Sequence, residues 1–156
     1  MTPPLFRPAR WLANPHVQTL WAPLRRVLPT VQRREEKMPL PDGDHLWMHW
    51  GATFPDDGTV VVILHGITGS SDSPYCRGLQ AELDQQSVAS VVINARGNGG
   101  RYNDRAECSY AGETHDIHAA LCWLEQQHRA RRMIVIGVSL GGSRLLNYLA
   151  EARVHS

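Results

Sequence analysis

Three apolar runs constrain this chain more than any other feature: residues 60–64, 88–94 and 133–138, rich in Val and Ile. A strand of unbroken apolar residues is stable only where both of its faces are covered, which is the situation of a central parallel strand. Between the runs the period changes to that of helices. Residues 73–86 carry Leu79 and Leu83 four apart, with Ser73 and Pro74 as N-cap and first turn. Residues 113–128 place Ile117, Leu121 and Leu124 on one face, and residues 140–153 place Leu145, Leu146 and Leu149 on another. Ahead of them, residues 31–38 and 45–53 read as an antiparallel hairpin closed by Asp42-Gly43. The order of hairpin, then strand–helix three times, predicts an α/β fold with a mostly parallel, doubly wound sheet.

The chain has 156 residues, enough for one domain with a real core. Residues 1–30 read as an irregular N-terminal arm with a short helix near residues 17–24, and residues 31–156 as the core domain. Three cysteines, Cys76, Cys108 and Cys122, make an odd number without CxxC spacing. That argues for reduced, packed thiols in the cytoplasm and against a disulfide framework or structural zinc. No stretch is long and apolar enough to span a membrane, and no apolar signal core is present. Residues 1–37 hold seven basic and two acidic residues, the remainder nine and thirteen. The basic arm could touch an anionic surface or nucleic acid. The reading adopted is a solvated segment laid over the domain, with no nucleic-acid partner.

The third apolar run ends in Gly137-Val138-Ser139-Leu140-Gly141-Gly142, a G-x-S-x-G pattern between a strand and an amphipathic helix. A turn there aims Ser139 upward as a nucleophile. Gly137 and Gly141 remove Cβ atoms where strand and helix approach, and the Leu140 N–H lies at a helix N-terminus suited to an oxyanion. The first run ends in His65-Gly66-Ile67-Thr68-Gly69-Ser70-Ser71. Strand order places this run between the other two, so its loop faces Ser139 and offers Ile67 N–H as the second oxyanion donor. His65 reads as a structural member of that loop. Two further clusters carry weaker signals. Glu113, His115, Asp116 and His118 open a helix and read as capping and surface rather than a metal site. Residues 96–101, Arg-Gly-Asn-Gly-Gly-Arg, read as a turn rather than a phosphate cradle.

The chain resembles the YheT-like branch of the α/β-hydrolases. The likeness is carried by Trp11-Leu-Ala-Asn-Pro-His-Val-Gln-Thr19, by the loop from His65 to Tyr75, by Asn94-Ala-Arg-Gly97, by Tyr110-Ala-Gly-Glu-Thr114 with Asp116, and by the segment from Gly137 to Gly142. The resemblance implies carboxylic-ester hydrolysis through an acyl-enzyme on Ser139, with short-chain esters, monoacylglycerols or similar lipids as substrates and no cofactor. It gives no role to Asn14-Pro15-His16. In α/β-hydrolases the acid and the His base follow the serine in the chain. Here 17 residues follow Ser139, holding one acid, Glu151, and one histidine, His155. Both are expected on or beyond the helix after Ser139, away from the cleft. The chain therefore reads as the N-terminal part of such a hydrolase, truncated after that helix and lacking the triad acid and base. Its alternative reading is an inactive fragment or an interaction module. The run at residues 133–138 becomes an apolar sheet edge, and self-association through that edge is expected.

Overall fold

The computed structural model describes residues 6–25, 27–55 and 58–154. A 3-10 turn (Arg10–Leu12) and helix α1 (Pro15–Arg25) precede the hairpin of β1 (Arg34–Pro39) and β2 (His45–Trp50). Then come β3 (Thr59–Leu64), α2 (Pro74–Gln85), β4 (Ser90–Asn94), α3 (His115–His128), β5 (Arg132–Gly137) and α4 (Leu140–Val154). The five strands form one sheet in the order β1-β2-β4-β3-β5. β3 pairs in parallel with β4 and β5, while β1 and β2 are antiparallel additions on the β4 side.

β3 is central, with Val60, Val62, Ile63 and Leu64 almost wholly buried. Its alternating side chains feed two cores, one on each face. Val60, Val62 and Leu64 pack with Trp50, Val91, Ile117 and Leu124 beneath α3 and α4. Val61 and Ile63 pack with Cys76 and Val92, flanked by Leu79 and Leu83 of α2. Cys76 is the packed thiol of the set, its pKa pushed up to about 11 by burial. Cys122 is half-buried, and Cys108 is exposed rather than packed. All three are unpaired.

Two local expectations need correction. Ser73 is the N-cap of α2 but makes no side-chain capping bond. Its Oγ instead accepts from Ser70 N–H at 3.0 Å, closing the preceding loop. The stripe on α4 is split: Leu145 packs on the core, while Leu146 is 69% and Leu149 51% exposed. On the other face of the sheet, Ile134 of the edge strand β5 is half-exposed beside the α2 core. No described helix is long and apolar enough to cross a membrane.

Arg96, in the loop after β4, ties three segments together. Its Nε and Nη2 donate to both oxygens of Asp116 at the start of α3, at 2.9 and 2.7 Å. Its Nη1 donates to Asp42 and Asp44 of the hairpin turn at 2.6 and 3.1 Å. Asp116 leads the causes that hold the guanidinium proton more tightly than usual. Arg96→Ala leaves the buried Asp44 and Asp116 carboxylates without their cation, an expected loss of about 3–5 kcal/mol. The denaturant midpoint measures this, and an unshifted midpoint would show the network to be decorative.

Candidate active site

β5 ends at Gly137 and α4 begins at Leu140, so the chain reverses across only Val138 and Ser139. Ser139 is exposed and holds φ 51°, in the left-handed region that L-residues avoid. Among the described residues, the other non-glycine residues with positive φ are Thr68, Ser87 and Arg129. Ser87 and Arg129 follow the ends of α2 and α3, where such a residue is an ordinary helix stop. Thr68 and Ser139 have no such explanation. Thr68 lies in the loop that faces Ser139.

The turn is held by contacts with β3 and its loop. Val138 N–H donates to Leu64 O at 3.0 Å, and Gly141 N–H to Val138 O at 2.9 Å. A Cβ on Gly66 would lie 3.3 Å from both Ser139 Cβ and Val138 O, so the loop reaches Ser139 with almost no space between them. A Cβ on Gly137 would fall 2.6 Å from Gly141 O and Gly142 Cα.

Backbone donors around this point are unequal. Gly66 N–H is consumed by the Tyr75 hydroxyl at 2.9 Å. Ile67 N–H has no hydrogen-bond acceptor among the described residues, and its side chain is 70% exposed. Leu140 N–H sits at the first helical position, where a backbone donor lacks an intrahelical partner. Tyr75 was legible in the sequence only as part of a motif. Its reach back across nine residues to Gly66 has no periodic signal.

His65 is buried, and both ring nitrogens are engaged with backbone. Nε2 accepts from Ala95 N–H at 3.0 Å, which leaves the proton on Nδ1 to donate to Gly66 O at 2.8 Å. Desolvation holds its pKa below the ordinary value of 6.5, and the same cause acts on His49. A neutral ring with both nitrogens occupied fixes the loop and has no free lone pair for Ser139. Unfolding frees these rings to protonate near 6.5, whereas the folded chain resists until lower pH. Their contribution to stability is complete above 6.5 and is lost as pH falls through the folded values. The melting temperature is expected to drop between pH 7.5 and pH 5.5. Equal melting temperatures at the two would remove this linkage.

No described acid or histidine replaces His65 at the serine. Glu151 accepts from Thr114 Oγ1 at 2.6 Å, and lies about 18 Å along the helix from Ser139 at 1.5 Å per residue. His155 lies outside the described residues. The acidic cluster also disperses. Glu113 Oε1 accepts from Asp116 N–H at 2.6 Å, Glu113 pairs with the buried Arg144 of α4, and Asp116 belongs to Arg96. The loop at residues 96–101 forms turns with Gly97, Gly99 and Gly100 at positive φ, and its Arg96 is fully committed.

One group among the described residues, Asp44, His45 and Asp104, has the spacing to hold a cation. Asp44 Oδ1 already accepts from His45 N–H and Asp104 N–H at 2.9 and 3.0 Å, and Oδ2 faces Arg96. An adjacent guanidinium opposes a second positive charge there. Cavities of about 860 and 590 Å³ lie against α3, and neither is lined by Ser139, Ile67 or Leu140.

Residues 59–156 match the α/β hydrolase fold family. YheT of Escherichia coli (strain K12) is 31% identical over 94% of this chain and 44% of its own length. Phospholipase ABHD3 of Mus musculus is 28% identical over 94% of this chain and 37% of its own. The chain thus spans less than half the length of these curated relatives. In solved structures, the Pyrococcus furiosus esterase Pf2001 superposes with TM-score 0.63 at 20% identity, covering 82% of this chain and 52% of that one.

Proposed function

The chain belongs to the α/β-hydrolase fold family, and from that premise we propose that it is the part of a serine carboxylic-ester hydrolase that carries the nucleophile. The observation that carries the reading is Ser139 itself, exposed at φ 51° on a two-residue strand–helix turn packed against Gly66. In this reading Ser139 Oγ attacks the ester carbonyl. The oxygen that gains negative charge is received by Ile67 N–H and Leu140 N–H, each worth ~3–4 kcal/mol of transition-state stabilisation. Tyr75 takes up Gly66 N–H, so that donor is not available, while Ile67 N–H, next in the loop, is open. His65, Gly66, Gly137 and Gly141 support the geometry. The tetrahedral intermediate collapses by breaking the ester C–O bond and releasing the alcohol, and water then cleaves the acyl-enzyme to the carboxylic acid and free Ser139.

The base and its orienting carboxylate come from outside these 156 residues, through further sequence of the same protein or through another chain. Short-chain esters and monoacylglycerol-like lipids are the substrate class, with support from curated relatives named as a phospholipase and as an esterase. Three unpaired thiols support a cytoplasmic location. Treating the native protein with a fluorophosphonate ester should add the phosphonyl group to the peptide containing Ser139. Absence of the adduct, or its placement on another residue, overturns the reading.

The open β5 edge, with Ile134, Leu146 and Leu149 exposed, favours a second reading: a non-catalytic interaction module that presents this edge to another segment. That reading expects no adduct on Ser139.

A further inference from the structure

The N-terminal arm is structured, and its architecture gives Asn14-Pro15-His16 a role. Asn14 Oδ1 accepts from His16 N–H at 2.8 Å and Val17 N–H at 3.4 Å, as an N-cap does. Pro15 takes the first helical position, where its missing N–H costs nothing. Gln18 Nε2 donates to Leu12 O at 2.7 Å, folding the 3-10 turn back on α1. The Trp11 and Trp21 rings meet edge to face at 4.7 Å. The arm is thus a self-capped helical unit.

Its apolar side faces outward. Val17, Leu20 and Trp21 recur at the i, i+3, i+4 spacing of one helix face and are 39%, 57% and 38% exposed. Trp11 is 60% and Phe6 81% exposed. A helix of 11 residues is marginal in water unless its apolar face is covered. Charge identifies what covers it. From residue 6 to residue 27 the sequence carries Arg7, Arg10, Arg25 and Arg26 and no acid. Aromatic rings beside arginines without acidic residues match the boundary of an anionic bilayer, where tryptophan sits at headgroup level and guanidinium groups meet phosphate. Beyond the arm, Arg33 pairs with Asp72, and Arg34 lies over Trp50 and Phe54.

We infer that residues 6–25 form an interfacial anchor that lays Trp11 of the 3-10 turn and the Leu20–Trp21 side of α1 on a membrane surface rich in anionic lipid. The inference rests on the arm alone and is independent of the chemistry at Ser139.

The test is co-sedimentation of the full chain with vesicles of phosphatidylcholine containing about one third phosphatidylglycerol, beside vesicles of phosphatidylcholine only. Binding is expected to be at least ~10-fold tighter to the anionic vesicles, with a blue shift of tryptophan emission, and to weaken in high salt. Leu20→Ser with Trp21→Ser, and separately Arg7→Glu with Arg10→Glu, should each abolish most of it while the melting temperature is kept. Equal binding to both vesicles, no binding, binding that survives both variants, or retention on nucleic acid in place of vesicles would overturn the inference.

Discussion

Ser139→Ala is expected to bring activated-ester hydrolysis by the complete protein down by about 10⁴–10⁶-fold, close to buffer background. The size follows from what is removed. Alanine keeps the Cβ that packs 3.3 Å from the position a Gly66 side chain would take, so the turn and the facing loop stay in place. It loses only the oxygen proposed to form the acyl bond. Residual rate would come from Ile67 N–H and Leu140 N–H acting on bound ester. The folded state should be almost unchanged, because serine and alanine resist the left-handed φ of 51° to a similar degree. A parallel melting curve therefore separates chemistry from folding. Turnover within a few-fold of the parent would remove Ser139 from the mechanism and leave its backbone strain unexplained.

The elements most legible in the sequence were those set by local pattern. β3, β4 and β5 were readable because Val and Ile runs leave a strand few other places to go, and the prediction that β3 lies between β4 and β5 agrees with the sheet order. The hairpin followed from Asp42-Gly43, with Gly43 at φ 88°. Ser139 was legible because a strand, a G-x-S-x-G pattern and a helix coincide. The rest depends on partners far apart in the chain. Arg96 reaches Asp116 across 20 residues and Asp42 across 54, and Arg144 reaches Glu113 across 31. No period or turn signal encodes such pairs. Leu146 and Leu149 fit an apolar stripe equally well whether or not anything covers it, so pattern alone did not show which side of α4 meets the sheet. In the arm, the short helix expected near residues 17–24 is present as Pro15–Arg25, and it begins earlier because Pro15 starts a helix rather than breaking one.

Gly141→Ala should be the most damaging small substitution in the chain. The glycine's φ lies outside the left-handed region, so alanine faces no conformational barrier and the effect is purely one of space. The added methyl would overlap Leu64 O, lie 2.7 Å from His65 O and 2.8 Å from Leu64 C. All three are backbone atoms at the end of the central strand, which cannot rotate away as a side chain can. Relief requires α4 to lift off β3. That motion strains the Val138–Leu64 hydrogen bond and the Gly137–Leu64 register, and it carries Ser139 away from Gly66 and Ile67. Overpacking of this kind costs about 1–3 kcal/mol, and a displacement near 1 Å at the proposed nucleophile is expected to cost about 100-fold in rate. Gly142→Ala supplies the contrast. Its methyl would come no closer than 3.2 Å to Gly137 O, so a small adjustment accommodates it. The pair is read by denaturant midpoint and ester turnover together. A Gly141→Ala protein as stable and active as Gly142→Ala would mean that α4 does not need its close seat on β3. The tight turn would then not be what holds Ser139 in place.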